Sequence, residues 1–129
     1  MSFSTRSIFA AMALVALVSG PAHADPLIAE YNAYIGEDDL YNSNGERLSE
    51  PWQVIRQERA NFHKFGIRQD GDENDDFFSS VDNRARAERM IRDGTMTRSA
   101  RALLLEGNVM INVKVFEGSD GDYLQITVD

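Results

Sequence analysis

The hydrophobic positions of the chain follow two different periods, and each period predicts one kind of element. Between residues 50 and 65, apolar side chains recur at helical spacing and form one arc of a helical wheel, as expected of a helix packed on a core. The arc consists of Trp52, Val54, Ile55, Phe62 and Phe65. Between residues 109 and 128, apolar and polar positions alternate, which is typical of half-buried strands.

The ends of the first helix are marked by residues that commonly begin and end helices. Ser49 is a suitable N-cap, and Pro51 in the first turn costs no hydrogen bond because the N–H there has no helical partner. Gly66 readily adopts the left-handed conformation that ends helices. We therefore predict a helix from Glu50 to about Phe65, preceded by a turn at Asn44-Gly45.

Two further helices are predicted before the alternating region. Ser79 with Asp82 resembles a capping box that opens a second helix, which runs to about Asp93 before Gly94. Its apolar positions are few, namely Val81, Ala85, Ala87 and Ile91. Residues 97–106 have helical spacing after a capping threonine, although the Gly-Asn pair that follows also permits a strand that pairs with the next segment.

The C-terminal alternation predicts an antiparallel hairpin from about Asn108 to Val128, with a turn between Glu117 and Asp122. A hairpin alone is marginally stable, so a third strand at Tyr31 to Ile35 is expected to complete the sheet. The predicted fold class is α+β, with two to three helices packed on a small antiparallel sheet.

The N-terminus has the pattern of a cleaved signal peptide. Arg6 precedes an apolar run over residues 8–18, and Ala22-His23-Ala24 is a small-residue cleavage motif. The apolar run is too short to cross a bilayer. We therefore expect an exported, periplasmic or secreted protein in which residues 25–129 form one small domain without a membrane span.

Composition limits the chemistry of the chain. Cysteine is absent from the sequence, which excludes disulfides, thiol catalysis and Cys-ligated zinc. The net charge of −8 repels nucleic acid and favours cationic partners or metal ions, or it serves solubility alone. We therefore expect a protein or small-ligand partner and no nucleic acid.

An acidic loop over residues 70–76 partly matches a calcium-binding loop. Four residues stand at its first, third, fifth and seventh positions: Asp70, Asp72, Asn74 and Asp76. The match then fails, because Asp75 replaces the glycine of the sharp turn and Val81 replaces the bidentate glutamate. The loop is either a divalent-cation (calcium) site or a solvated connection.

Arginines cluster in the segment that follows this loop. Residues 84–101 carry six arginines, of which the first four lie on the second helix: Arg84, Arg86, Arg89, Arg92, Arg98 and Arg101. They form either a surface for an anionic ligand or partner, or an internal counterpart to the preceding acidic loop.

A second candidate surface lies where the Asn44-Gly45 turn meets the first helix. Its aromatic and amide side chains are suited to a ligand-binding lip, for which the candidates are Tyr41, Asn42, Asn44, Trp52 and Glu58. Glu58 is unusual because it lies inside the apolar arc, where an unpaired carboxylate is costly. We hypothesise that Arg47 or the backbone N–H groups of residues 42–45 bind it, with a catalytic carboxylate of raised pKa as the alternative.

No motif of an established catalytic site is present in the sequence, and no cofactor is implied. His63 is the only histidine after the predicted signal peptide, which is too few for a zinc site. The function expected from the sequence is a non-enzymatic binding or interaction module of the cell envelope. An enzyme that uses Glu58 or the pair Asp38 and Asp39 is the alternative.

Overall fold

The computed structural model describes residues 24–129, so the predicted signal peptide, residues 1–24, lies outside the described residues except for Ala24. The elements follow in the order β1 (Leu27–Ile35), α1 (Pro51–His63), α2 (Val81–Ala85), α3 (Ala87–Arg92), α4 (Arg98–Glu106), β2 (Val109–Gly118) and β3 (Gly121–Val128). Short 3₁₀ turns at Glu37–Leu40 and Phe77–Ser79 lie in the connections. The α+β class is confirmed.

The sheet has the order β1-β2-β3 and is antiparallel throughout, so the predicted hairpin and its third strand are confirmed. Tyr31 lies opposite Val113, and Val113 lies opposite Ile126. Because side chains alternate across a strand, these three face the same side of the sheet, and all three are buried there. The helices cover this side, and β1 begins at Leu27, earlier than predicted.

The first helix begins one residue later than predicted, because its N-cap is Glu50 and not Ser49. The side-chain Oε1 of Gln53 accepts the backbone N–H groups of both Ser49 and Glu50, each at 3.1 Å. These bonds satisfy donors that precede the first turn, so a side chain inside the helix replaces the expected cap.

The predicted core arc of α1 is correct at Val54, Ile55 and Phe62, which are buried, and wrong at Phe65, which is 53% exposed. The helix ends at His63, and Gly66 turns the chain with a φ of +67°. Phe65 therefore lies beyond the last helical turn, where the wheel no longer describes its direction.

The single second helix that the sequence predicted is two short helices, α2 and α3, which meet at Arg86 (φ −90°, ψ 1°). The N-cap is Ser80 rather than Ser79, because Ser79 belongs to the preceding 3₁₀ turn. The predicted apolar arc of this region is correct at Ala87, which is buried, and at Ile91, which packs against the core. It is wrong at Val81 and Ala85, which are exposed, and it omits Met90, which is buried in the core.

Helix α4 resolves the ambiguity at residues 97–106 in favour of a helix. The Thr97 hydroxyl accepts the N–H of Ala100 at 3.0 Å, which is the expected N-cap. Gly107 ends the helix with a φ of +83°, and the buried side chain of Leu104 faces the core.

Candidate functional site

Arg59 is the centre of a buried polar group that we call the Arg59 cluster, together with Glu58, Asp75 and His63. Its Nε and Nη2 donate to the two carboxylate oxygens of Glu58 at 2.6 and 2.5 Å. Its Nη1 donates to Oδ1 of Asp75 at 2.8 Å and to the carbonyl oxygen of Glu73 at 2.9 Å. The same Asp75 oxygen lies 2.9 Å from Nε2 of His63, so one carboxylate joins two basic side chains.

Aromatic rings enclose the Arg59 guanidinium. Its central carbon lies 4.0 Å from the ring centroid of Tyr31 and 4.5 Å from that of Phe62. A cation over an aromatic face is attracted by the ring quadrupole, and the attraction is larger where water is excluded. Among the described residues, the hydroxyl of Tyr31 is the one buried side-chain polar atom without a hydrogen-bond partner.

Burial also changes the titration of two carboxyl groups. Burial raises the pKa of Glu58 to about 7, although the hydrogen bonds and charge of Arg59 oppose the increase. Burial likewise raises the pKa of Asp39, whose carboxylate accepts hydrogen bonds from the Asn61 amide, the Gly36 N–H and the Gln69 amide. Both carboxyl groups are therefore buried and hydrogen-bonded to neighbouring groups of the protein.

The burial of Glu58 was predicted, but the predicted partner was wrong. Arg47 donates to the carbonyl oxygen of Leu105 at 2.9 Å and lies over the Tyr41 ring, away from Glu58. The sequence did contain a signal for the true partner, Arg59. It follows the core residue Ile55 by four positions and precedes Phe62 by three, a spacing that places it on the inner face of the helix.

The acidic loop closes the free edge of β1. The two carboxylate oxygens of Asp72 accept the backbone N–H groups of Tyr34 at 2.8 Å and Gln69 at 2.7 Å. Glu73 accepts the N–H of Asn32 through its side chain at 2.7 Å and donates its own N–H to the Asn32 carbonyl at 2.9 Å. An open strand edge invites pairing with other chains, and this loop occupies part of it.

The calcium hypothesis gains no support from this geometry. Within residues 24–129, no group of three or more His, Cys, Asp or Glu side chains is placed to hold a metal ion. Both oxygens of Asp72 already accept backbone donors. The other three predicted ligands are exposed to solvent, namely Asp70, Asn74 and Asp76.

A groove of about 710 Å³ lies between the start of α1 and the helices α3 and α4, and we call it the Trp52 groove. It combines four apolar side chains with three arginines, namely Pro51, Trp52, Ile91, Met96, Arg92, Arg98 and Arg101. Arg101 binds the Glu50 carboxylate at 3.0 Å, with both side chains about half exposed. Glu88 also lines the groove, so charges of both signs are present.

The wall of the Trp52 groove between α3 and α4 is attached to the sheet. A Cβ atom on Gly94 would lie 1.8 Å from the carbonyl oxygen of Leu124, so only glycine permits this approach. Thr95 then donates to the Leu124 carbonyl at 2.9 Å and accepts the N–H of Ile126 at 3.0 Å. The helices that carry the groove arginines are therefore held against the edge of β3.

The five predicted ligand-binding residues do not form one site. Trp52 lines the Trp52 groove, whereas Tyr41 and Asn42 line a separate groove of about 430 Å³, which we call the Tyr41 groove. Asn44 is exposed in its turn and lines neither groove, and Glu58 is buried in the Arg59 cluster. The polar residues of the turn bind one another, since Asn42 Oδ1 accepts the N–H groups of both Asn44 and Glu46 at 2.9 Å.

The four arginines of the predicted second helix are also divided. Arg84 is 7% exposed and donates to the carbonyl oxygens of Phe78 and Ser79, so its prediction as a surface residue is wrong. Arg86 and Arg89 are exposed but line none of the grooves described here. Arg92 lines the Trp52 groove, where it joins arginines of α4.

The arginines of α4 belong to the arginine-rich segment that the sequence identified, residues 84–101. Arg98 and Arg101 lie three residues apart after the Thr97 cap, and this spacing places them on one side of a helix. The position of Trp52 opposite them was not readable in the sequence, because it depends on how α1 and α4 pack together.

Comparison of the chain with protein-family models, with curated proteins and with solved structures finds no match. In the described part of the chain, every helix is too short or too polar to cross a membrane.

Proposed function

We propose that this chain is a non-enzymatic binding module of the cell envelope, exported by its signal peptide. Its ligand is a segment of a partner protein that carries apolar side chains beside carboxylates, and it binds in the Trp52 groove. The observation that supports this proposal is the meeting of two separately predicted features, Trp52 and Arg92, in one groove.

The chemistry of the groove matches an acidic, apolar segment. Arg92 and Arg98 form no ion pair within residues 24–129, so their guanidinium groups are free to bind carboxylates. Arginine binds a carboxylate with two parallel hydrogen bonds, which gives direction as well as attraction. Trp52, Ile91 and Met96 offer an apolar surface between the charges, and such mixtures of aromatic, methionine and arginine side chains are enriched in protein interfaces.

The enzyme alternative has less support. Glu58 binds Arg59 with both carboxylate oxygens, and Asp39 accepts three hydrogen bonds from its neighbours. Neither of these two carboxylates lines the Trp52 groove or the Tyr41 groove, and a general acid or base must reach a proton of the substrate. Asp38, the other member of the predicted Asp38/Asp39 pair, is exposed and lines the Tyr41 groove, whereas Asp39 is buried beneath it.

The fluorescence of Trp52, the only tryptophan of the chain, provides a direct test. We expect saturable quenching or a spectral shift when the synthetic peptide acetyl-Asp-Leu-Glu-Leu-Asp-amide is titrated into the protein. Arg92→Gln and Arg98→Gln should each weaken binding at least about tenfold, because a charge-assisted hydrogen bond contributes about 1.5–3 kcal/mol.

Arg86→Gln is the matched control, because it removes an exposed arginine that does not line the groove. It should leave the dissociation constant within about twofold, since surface substitutions away from a contact have small effects. An equal response to the peptide with lysine in place of each acid, or an equal loss in Arg86→Gln, would contradict the proposal.

A further inference from the structure

The Tyr41 groove presents two large hydrophobic side chains to solvent in a fixed position. Phe65 is 53% and Ile67 39% exposed, and both line this groove. The turn that carries them is held to α1, because Phe65 donates its N–H to Ala60 at 3.1 Å and Ile67 donates to Asn61 at 2.8 Å. These two exposed side chains therefore project from a hydrogen-bonded helix end.

The 3₁₀ turn at Glu37–Leu40 presents two acidic side chains to the Tyr41 groove. Glu37 and Asp38 are exposed, and within residues 24–129 their carboxylates form neither an ion pair nor a side-chain hydrogen bond. The turn is fixed from below, because Asp39 accepts the N–H of Gly36 at 2.9 Å and the Asn61 amide donates to the Asp38 carbonyl at 3.3 Å. The carboxylates of Glu37 and Asp38 therefore project from a turn that hydrogen bonds hold in place.

The neighbouring side chains add acceptors and aromatic rings. The Gln57 amide donates to Asn61 Oδ1 at 2.9 Å, which leaves the Gln57 carbonyl oxygen as an acceptor at the groove. Arg47 lies 5.4 Å from the Tyr41 centroid and Lys64 lies 5.2 Å from the Phe65 centroid, so one face of each ring is covered by a cation of this chain. The carboxylates and the free carbonyl oxygen suit a group that donates hydrogen bonds and carries positive charge.

We propose that the Tyr41 groove is a second binding site, which takes a lysine or arginine side chain of a partner protein together with an adjacent apolar side chain. The cationic group lies between the carboxylates of Glu37 and Asp38, and the apolar side chain covers Phe65 and Ile67. This site has the opposite charge preference to the Trp52 groove and shares none of its lining residues. The inference is therefore independent of the proposed function.

The test uses NMR titration of the ¹⁵N-labelled protein with the peptide acetyl-Gly-Arg-Leu-Arg-Gly-amide. We expect saturable shifts at residues 37–43, 57, 61 and 65–67, with little change at the indole N–H of Trp52. The double variant Glu37→Gln/Asp38→Asn should weaken binding at least tenfold, and Phe65→Ser should weaken it severalfold. Phe65 is exposed beyond the helix, so the serine variant is expected to fold.

The control for general charge attraction is Asp120→Asn/Asp122→Asn, which removes two acids from the far hairpin turn. It should leave binding within about twofold, because charges more than a Debye length away are screened at physiological salt. Three results would overturn the inference: no saturation up to millimolar peptide, equal loss in the control variant, or equal binding of the peptide with glutamate in place of arginine. None of these outcomes bears on the Trp52 titration, so the two proposals fail separately.

Discussion

The Arg59 cluster and the Trp52 groove each contain an ion pair between arginine and glutamate, but the pair is buried in the cluster and exposed in the groove. The Arg59–Glu58 pair has side chains that are 0% and 1% exposed, whereas the Arg101–Glu50 pair is 50% and 45% exposed. Buried ions lose their hydration and must find every partner inside the protein. Exposed ions keep most of their hydration and remain available to a ligand. The first region therefore maintains the fold, and the second is available for binding.

The acidic loop belongs with the first region. It supplies Asp75 and the Glu73 carbonyl to Arg59, and it supplies Asp72 to the edge of β1. Arg59 thus connects α1 to the loop, and the loop connects to the sheet. Loss of the Arg59 contacts leaves buried charges without partners, and loss of the Asp72 contacts leaves partly buried backbone donors without partners. We therefore expect larger effects of substitution here than in the groove.

The largest effect is expected for Arg59→Met, which leaves Glu58 and Asp75 buried without their cation. We predict a loss of about 3–5 kcal/mol in the free energy of unfolding, the usual consequence of removing one partner of a buried ion pair. Urea denaturation followed by circular dichroism measures it. Arg56→Met, an exposed position on the same helix, is the control and should change stability by less than about 0.5 kcal/mol. Similar values for the two variants would remove the distinction between the regions.

The next largest effect is a dependence of the free energy of unfolding on pH, which we attribute to Glu58. Its pKa of about 7 in the folded protein exceeds the ordinary value of 4.5, so the folded state binds the proton more tightly than the unfolded state. The resulting stabilisation is present below pH 4.5 and is lost as the pH rises through 7, by roughly 3 kcal/mol.

Glu58→Gln removes this titration and keeps the size of the side chain. The stability of the native protein relative to Glu58→Gln should therefore fall between pH 4.5 and about pH 8, as measured by denaturation across that range. Asp39 also has a raised pKa and titrates in both proteins, and its charge contributes to the raised pKa of Glu58. A difference between the two proteins that does not change with pH would show that Glu58 does not titrate in this range.

A smaller loss is expected when the loop is detached from β1. Asp72→Ala removes two hydrogen bonds to backbone N–H groups, which corresponds to about 2 kcal/mol of stability. Hydrogen exchange should become faster at the amides of Tyr34 and Gln69. Asp70→Ala in the same loop is the control, since Asp70 is exposed and makes no side-chain contact of this kind. Equal losses would mean that the loop is not held by Asp72.

The exposed pair of the groove should contribute little to stability. Arg101→Gln is expected to cost less than about 1 kcal/mol, because the Coulomb attraction of exposed ions is screened by water and salt. Denaturation should give a smaller difference from the native protein in high salt than in low salt, because salt screens exposed charges. A loss comparable to that of Arg59→Met would place the groove among the elements that maintain the fold.

The smallest effect is expected from calcium. A genuine site would raise stability by about 2.7 kcal/mol at a calcium concentration one hundred times its dissociation constant. Because Asp72 already accepts two backbone donors, we expect the melting temperature in millimolar calcium to equal that in EDTA. An increase that Asp70→Ala abolishes would instead identify the acidic loop as a metal site.

Much of the secondary structure was predictable because it depends on local spacing. The alternation of residues 109–128 and the arc around Val54 and Ile55 correctly predicted strands and a helix. Predictions from spacing were wrong where the chain departs from regular helical geometry. Phe65 lies past the last turn of α1, and Arg86 interrupts what the sequence presented as one helix.

The candidate sites were predictable only in part. The sequence identified Glu58 as a charge that needs a buried partner, and it identified Trp52 and Arg92 as separate candidates. The spacing of Arg59 from Ile55 and Phe62 places it on the inner face of α1, but its pairing with Asp75 depends on how α1 packs on the acidic loop. The sequence did not separate Arg84, whose side chain turns inward, from the exposed arginines around it.

By itself, the sequence determined the α+β class, the position of the main helix and hairpin, and the presence of a carboxylate in the apolar face of that helix. These features follow from periodicity and residue chemistry, which act between neighbours along the chain. Only the tertiary structure decided which charged side chains are buried and which remain exposed to water. Burial depends on contacts between residues far apart in sequence, and burial is what separates the Arg59 cluster from the two grooves.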